Sequence, residues 1–229
     1  MRRYKYTKKY EWSHDLAYVA GLIASDGCLY NDRRHINLTS KDIEQLETFT
    51  KILKLKFNLK QKPNGFGGMG YYVQFSDVAL YDFLYESGIK PAKSHTIKSV
   101  SVPEIFYADF LRGYFDGDGT VYGFWDKRWR SSLMYYTEFV SASLEFLEWI
   151  QSMNSKMGLT TKGRIKLGTR AFVLSYAKQD SKKLFKLMYY DLGLPMLVRK
   201  HNKFVAFLRL DPYAGKEFAR VVKSVNTPV

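Results

Sequence analysis

The chain has 229 residues, 46% of them hydrophobic and 25% charged, so it can bury a core without disulfide or metal staples and is too apolar to be disordered as a whole. Its 36 lysines and arginines against 22 acids leave a net charge of +14, which favours a polyanionic partner, nucleic acid first; the 18 tyrosines, many interleaved with cations, point the same way. No apolar run approaches ~18 residues, the basic N-terminus is followed by no apolar leader segment, and Cys28 is alone. A membrane span, a secretory leader and a disulfide scaffold are therefore not expected, and an intracellular, reducing compartment is.

In chain order, residues 1–12 read as a basic tail. Ser13 is placed to cap a helix on which Leu16, Val19, Leu22 and Ile23 recur at helical spacing, and Asp26-Gly27 closes it, with Gly27 as a left-handed stop. On the same helix Ala17, Ala20, Gly21, Ala24 and Ser25 make a flat stripe that another helix backbone can approach closely. A strand ending at Ser40 leads into a helix through Ile43–Glu47, then two strands, Leu55–Lys60 and Gly70–Phe75, joined by the glycine-rich run Pro63–Gly70. Leu80–Leu84 reads as helix and leads to Gly88-Ile89 and Lys93.

Pro103-Glu104 then suits the first turn of a new helix carrying Phe106, Phe110, Leu111, Tyr114 and Phe115, with small residues at Gly113 and Gly117 and an end at Asp118-Gly119, Gly119 again as a left-handed stop. Extra residues around Gly123–Ser132 read as a loop. A strand ending at Ser141 and a helix from Leu144 follow, then strands Thr160–Leu167 and Ala171–Tyr176 closed tightly at Gly168, and a helix near Leu184–Met188 leading to Gly193-Leu194 and Lys200.

The second series repeats the first. The offset grows from 92 residues at the aspartates to 101 at Ser40/Ser141 and 107 at Lys93/Lys200, which marks a tandem duplication with insertions in the second copy. An α+β fold is expected, with halves at residues 13–100 and 101–211 and a C-terminal extension over 212–229. Each half is a helix, a curved antiparallel sheet with one wet face, and further helices.

An aspartate in the last turn of a helix sits at the negative end of the helix dipole, which costs a few tenths to about 1 kcal/mol unless a cation is near. If the two small-residue stripes meet about a pseudo-twofold axis, Asp26 and Asp118 fall side by side, and two such carboxylates repel unless a proton or metal intervenes. Paired acidic oxygens holding a hard cation such as Mg²⁺ are what in-line hydrolysis of a phosphodiester requires. The plainer alternative, that each Asp-Gly is only a helix-ending turn, is weakened by the duplication.

Ala20-Gly21-Leu22-Ile23-Ala24-Ser25-Asp26-Gly27 and Gly113-Tyr114-Phe115-Asp116-Gly117-Asp118-Gly119 resemble the LAGLIDADG signature of homing endonucleases, and the two copies fit that family's single-chain members. The resemblance implies two αββαββα halves related by a pseudo-twofold axis, acting as a monomeric, freestanding intron- or phage-type enzyme. It further implies cleavage of double-stranded DNA at a long, partly symmetric target lying against curved sheets. Asp26 and Asp118 would hold Mg²⁺, with the carbonyls of Ser25 and Gly117 as further ligands. Mn²⁺ could substitute, and Ca²⁺ could bind without turnover.

Lys93 and Lys200 match the basic residues that assist catalysis in the family, while a surface lysine on phosphate or solvent is the alternative for each. Ser40 and Ser141 match a polar strand-end position near the DNA. Contacts with DNA are expected from alternate strand residues and their flanks: Tyr30, Arg33, Arg34, Lys60, Lys62, Tyr72, Gln74, Arg128, Arg130, Lys162, Arg164, Lys166 and Arg170. The sequence departs from the signature at Ala24, where an acid is usual, and at Arg112, where a small residue is usual and slightly asymmetric helix packing is implied. An RNA-splicing maturase and a non-cleaving DNA-binding protein are the other functions open to this fold; retention of both aspartates weighs against the first, and 229 residues leave no room for the appended helix-turn-helix domain expected of the second.

Overall fold

The computed structural model describes residues 9–63, 68–128, 132–159 and 163–211. Helix α1 (His14–Ser25) is followed by strands β1 (Gly27–Leu29) and β2 (His35–Ser40), helix α2 (Ile43–Ile52), strands β3 (Lys60–Pro63) and β4 (Met69–Ser76), and helix α3 (Val78–Glu86). The order recurs as α4 (Tyr107–Asp118), β5 (Gly119–Trp125), β6 (Leu133–Ser141), α5 (Leu144–Lys156), β7 (Arg164–Leu167), β8 (Phe172–Tyr176) and α6 (Lys178–Met188). A further helix, α7 (Val198–Leu210), follows. The protein is thus α+β, built twice from the α-β-β-α-β-β-α unit.

Each repeat holds one four-stranded antiparallel sheet, ordered β1-β2-β4-β3 in the first and β5-β6-β8-β7 in the second. Alternation decides which side of each sheet meets helices. Ile36, Leu38 and Val73 are buried in the first sheet, as are Val121, Tyr135, Phe139, Leu174 and Tyr176 in the second, and the residues between them turn to the other face.

Helix α1 begins as its sequence predicts, the Ser13 hydroxyl accepting the Leu16 amide at 3.1 Å. Every residue from Leu16 to Ala24 is buried, the pattern of a helix packed on all sides. Part of that cover is α4. A Cβ on Gly21 would overlap the carbonyl oxygen of Phe110 and stand 2.6 Å from the Tyr114 amide, and one on Gly113 would overlap the carbonyl of Tyr18 and stand 3.1 Å from the Leu22 amide. The two glycines are equivalent, and so are the pairs they meet, so the backbones cross in a reciprocal, twofold manner that only glycine permits. Residues Met1–Gly117 form one compact unit and Asp118–Val229 a second. The packing of α4 on α1 therefore carries the first unit past the repeat boundary near residue 100.

Four expectations need correction. Neither Gly27 nor Gly119 is left-handed: Asp26 is still right-handed (φ −89°, ψ −4°), and the chain passes directly from each helix into β1 or β5. Gly27 is needed for room instead, since a Cβ there would stand 2.5 Å from the Ile23 Cα. Residues 55–59 are not strand; β3 starts at Lys60, and the exposed Phe57 has no buried face to join. Pro103-Glu104 opens a single 3-10 turn, Glu104–Phe106, before α4 begins at Tyr107. The second-half insertion is partly strand, because β5 has 7 residues where β1 has 3.

Candidate active site and nucleic-acid interface

Asp26 caps α1, its amide bonded to the Leu22 carbonyl at 3.0 Å and its side chain exposed at the negative end of the helix. Gly117 stands against this end: a Cβ there would overlap the Ser25 hydroxyl and lie 3.1 Å from Asp26 Oδ2. Asp118 is the next residue and the last of α4. The Ser25 hydroxyl turns back along its own helix to the carbonyls of Gly21 (3.1 Å) and Leu22 (3.0 Å).

Lys93 and Lys200 come from different local structures and meet equivalent atoms. Lys93 leads a 3-10 turn, Lys93–His95, that follows left-handed Ala92 (φ 52°), and its ammonium donates to the carbonyls of Gly27 (2.7 Å) and Ser25 (3.2 Å). Lys200 lies in the first turn of α7 and donates to the Gly119 carbonyl at 2.7 Å. Both lysines are buried, so each unit holds a dehydrated cation on the carbonyl that follows its motif aspartate. Such a charge offsets the unfavourable helix end and fixes the helix-to-strand junction.

Ser40 and Ser141 make local hydrogen bonds. Both are buried on the helix side of their sheets. The Ser40 hydroxyl accepts the Asp42 amide (3.0 Å) and donates to Gln45 Oε1 (2.6 Å), and the Ser141 hydroxyl accepts the Ser143 amide (3.1 Å). Their shared position is a strand-to-helix turn device.

The open face of the first sheet collects the expected readers. Lys60 pairs with Tyr72, Lys62 with Gly70 and Gln74 with Asn37, all on the side away from Ile36 and Leu38. Lys62 donates to the Thr39 hydroxyl at 3.1 Å and lies 5.5 Å from the Tyr72 ring. Asn37 and Thr39 share this face and were missed, although their alternation with Ile36 and Leu38 is the signal that finds them. Tyr30, Arg33 and Arg34 occupy the β1–β2 turn, where Arg33 is left-handed (φ 59°) and lies 5.5 Å from the Tyr85 ring. Asp32 organises that turn by accepting the amides of Arg34 and His35 and pairing with the His35 ring. These bonds, the His35 side chain first, hold its carboxyl down at about 2.

On the second sheet Arg164 and Lys166 alternate along β7 and share the open face with Tyr122, Tyr136 and Glu138. Lys166 is 3.5 Å from Glu138, which also accepts the Tyr122 hydroxyl at 3.2 Å. Burial, then the Glu138 charge, pushes the Tyr122 phenol up. Arg170 is exposed in the β7–β8 turn, where the Gly168 amide closes on the Ala171 carbonyl at 2.8 Å. Arg128 is exposed and held by Asp126 at 3.3 Å. Arg130 and Lys162 lie outside the described residues.

Among the described residues no group of three or more His, Cys, Asp and Glu side chains could hold a metal. The exposed Asp26 carboxylate and the neighbouring Ser25 carbonyl are oxygen donors, the ligand type of a hard cation such as Mg²⁺ rather than the nitrogen and sulfur set typical of zinc. No helix among the described residues is long and apolar enough to cross a membrane.

The fold is shared with known proteins. Solved structures with this fold include the LAGLIDADG meganuclease I-AabMI bound to uncleaved DNA (TM-score 0.57, 12% identity, 91% of this chain and 96% of that one). The K262A mutant of I-SmaMI is also similar (0.58, 10%, 95% and 100%), as is full-length DUF199/WhiA from Thermatoga maritima (0.56, 12%, 94% and 67%). Among curated proteins, Elongation factor 2 of Methanopyrus kandleri is 27% identical over 157 residues, 64% of this chain; the chain spans 11% of that protein's length. The sequence profile of the LAGLIDADG-like domain matches residues 13–77 and 106–187, one segment in each repeat, and the chain belongs to that family.

Proposed function

We propose that the chain is a site-specific, metal-dependent double-stranded DNA endonuclease acting as a monomer. The observation that carries this reading is the reciprocal glycine crossing of α1 and α4, which sets Gly117, the neighbour of Asp118, against Ser25 and Asp26. Asp26 and Asp118 would hold Mg²⁺, which when bound acts as a Lewis acid and lowers the pKa of water for attack on phosphorus. Lys93 and Lys200 fix the carbonyls after the aspartates and supply positive charge beside the scissile phosphate, where charge grows in the transition state. The Ser25 carbonyl, a candidate ligand, already accepts from Lys93 and would share its lone pairs with the metal. The open sheet faces, rich in long basic and amide side chains, would lie along the duplex. The solved structures of the similar proteins I-AabMI and the homing endonuclease I-WcaI hold them bound to DNA, which supports the same use here.

The test is selection and cleavage of a randomised duplex library by the wild type, Asp26→Asn and Asp118→Asn. The wild type should cut a discrete long site with Mg²⁺ or Mn²⁺ and bind it uncut in Ca²⁺, and each variant should bind without cutting. A wild type that binds a discrete duplex and never cuts it leaves a non-cleaving DNA-binding protein. Preference for structured intron RNA over any duplex leaves a maturase.

A further inference from the structure

The two open sheet faces differ in chemistry. On the first, Asn37, Thr39, Lys60, Lys62, Tyr72 and Gln74 all carry hydrogen-bonding groups. On the second, Glu138, Ser175, Arg164 and Lys166 keep hydrogen-bonding groups, but Val140 and Val173 stand at the register of Thr39 and Tyr72, and Tyr122, Phe124 and Tyr136 add an aromatic cluster. We infer that the second sheet recognises the 5-methyl group of pyrimidines in the target, whereas the first reads hydrogen-bonding edges. This inference rests on the DNA-binding reading proposed above.

Three observations support it. The rings stack on one another: Tyr122 and Tyr136 have centroids 5.5 Å apart at 20°, and Phe124 and Tyr136 are 6.1 Å apart at 19°. Stacking commits the facing ring surfaces to each other, so fewer faces remain for an unpaired base, and the edge of a paired base fits better. Next, the Tyr122 hydroxyl donates to Glu138, so its proton is not offered to a base edge. Finally, beside the tyrosines lies a hollow of about 310 Å³ bounded by Tyr122, Tyr136, Ser175, Arg164 and Lys166. The 5-methyl of thymine is the apolar group that the major groove displays, and cations on the far side of the hollow can reach a neighbouring purine edge or phosphate. Phe124 is 50% exposed, an apolar surface that gains nothing from water and would gain from a methyl.

Duplexes enriched on the wild-type protein in Ca²⁺ would be resynthesised with deoxyuridine for thymidine, or 5-methyldeoxycytidine for deoxycytidine, in one half at a time. Loss of each buried thymine methyl should weaken binding about fourfold, confined to one half of the target, and Phe124→Ser or Val173→Ser should abolish the response. A gain with 5-methyldeoxycytidine in that half would show that the methyl, and not only thymine, is sensed. Indifference to both base changes in both halves overturns the inference while leaving DNA binding intact, as does a response that survives both substitutions. Tighter binding of single-stranded oligothymidine than of duplex also overturns it, in favour of base stacking. If no duplex is enriched, the DNA-binding reading fails and this one with it.

Discussion

Helices α1 and α4 are copies of one another, yet they have taken opposite sides of a chemical bargain. Where α1 carries Ala17, Ala20 and Ala24, α4 carries Asp109, Arg112 and Asp116 at the equivalent positions, all of them buried. Arg112 reaches Asp109 at 2.7 Å and lies 5.3 Å from the Tyr18 ring, His14 meets the other Asp109 oxygen at 2.8 Å, and the Tyr18 hydroxyl donates to Asp116 at 2.8 Å. The contact is twofold at its glycines and one-way in its charges. Two α4 helices packed together would set each Asp116 against Phe110, which has no hydroxyl to offer, whereas α1 supplies Tyr18 and its alanines bring no second set of charges into the crossing. The crossing is thus a complementary pair, which favours α1 against α4 over either helix against a copy of itself.

The sharpest way to break the shared part of this comparison is Gly113→Val. Its side chain would meet the Tyr18 backbone, which has no rotamer to give, so a loss of about 3 kcal/mol or more is expected in urea unfolding. A mild effect would mean that the helices can separate at little cost. The one-way part is tested next by Arg112→Leu, which takes the guanidinium from the buried Asp109 carboxylate and should cost about 3 kcal/mol. Adding Asp109→Leu should recover much of that loss, and a double variant no better than the single would show that the pair is not energetically coupled. Smallest is Tyr18→Phe, which leaves Asp116 without the tyrosine hydroxyl and should cost about 1–3 kcal/mol by the same measurement.

The repeat, the helix caps and the small-residue stripe were legible in the sequence because each depends on local spacing. Ser13 and Gly21 do what their positions announce. Gly27 and Gly119 misled because glycine after aspartate has two uses, a left-handed turn and a lack of bulk, and only the neighbouring helix shows which applies. Lys93 and Lys200 could be matched by register with the repeat, but their carbonyl partners are 66 and 81 residues away in sequence, beyond any local pattern. The Leu55–Leu59 run had strand composition without a sheet partner, and strand formation is settled by partners. Glu138 and the aromatic cluster of the second sheet were not legible, because their residues come together only once β5, β6 and β8 are aligned.

The placement of α4 in the first compact unit has a consequence for synthesis and for recombination. As the chain leaves the ribosome, the stripe of α1 has no cover until residue 117 has emerged, well after the first repeat is finished. Growth of the second repeat therefore completes the first. A genetic exchange of halves between relatives would preserve this packing if it joined them after α4, and would separate α1 from its matched partner if it joined them where the repeat begins.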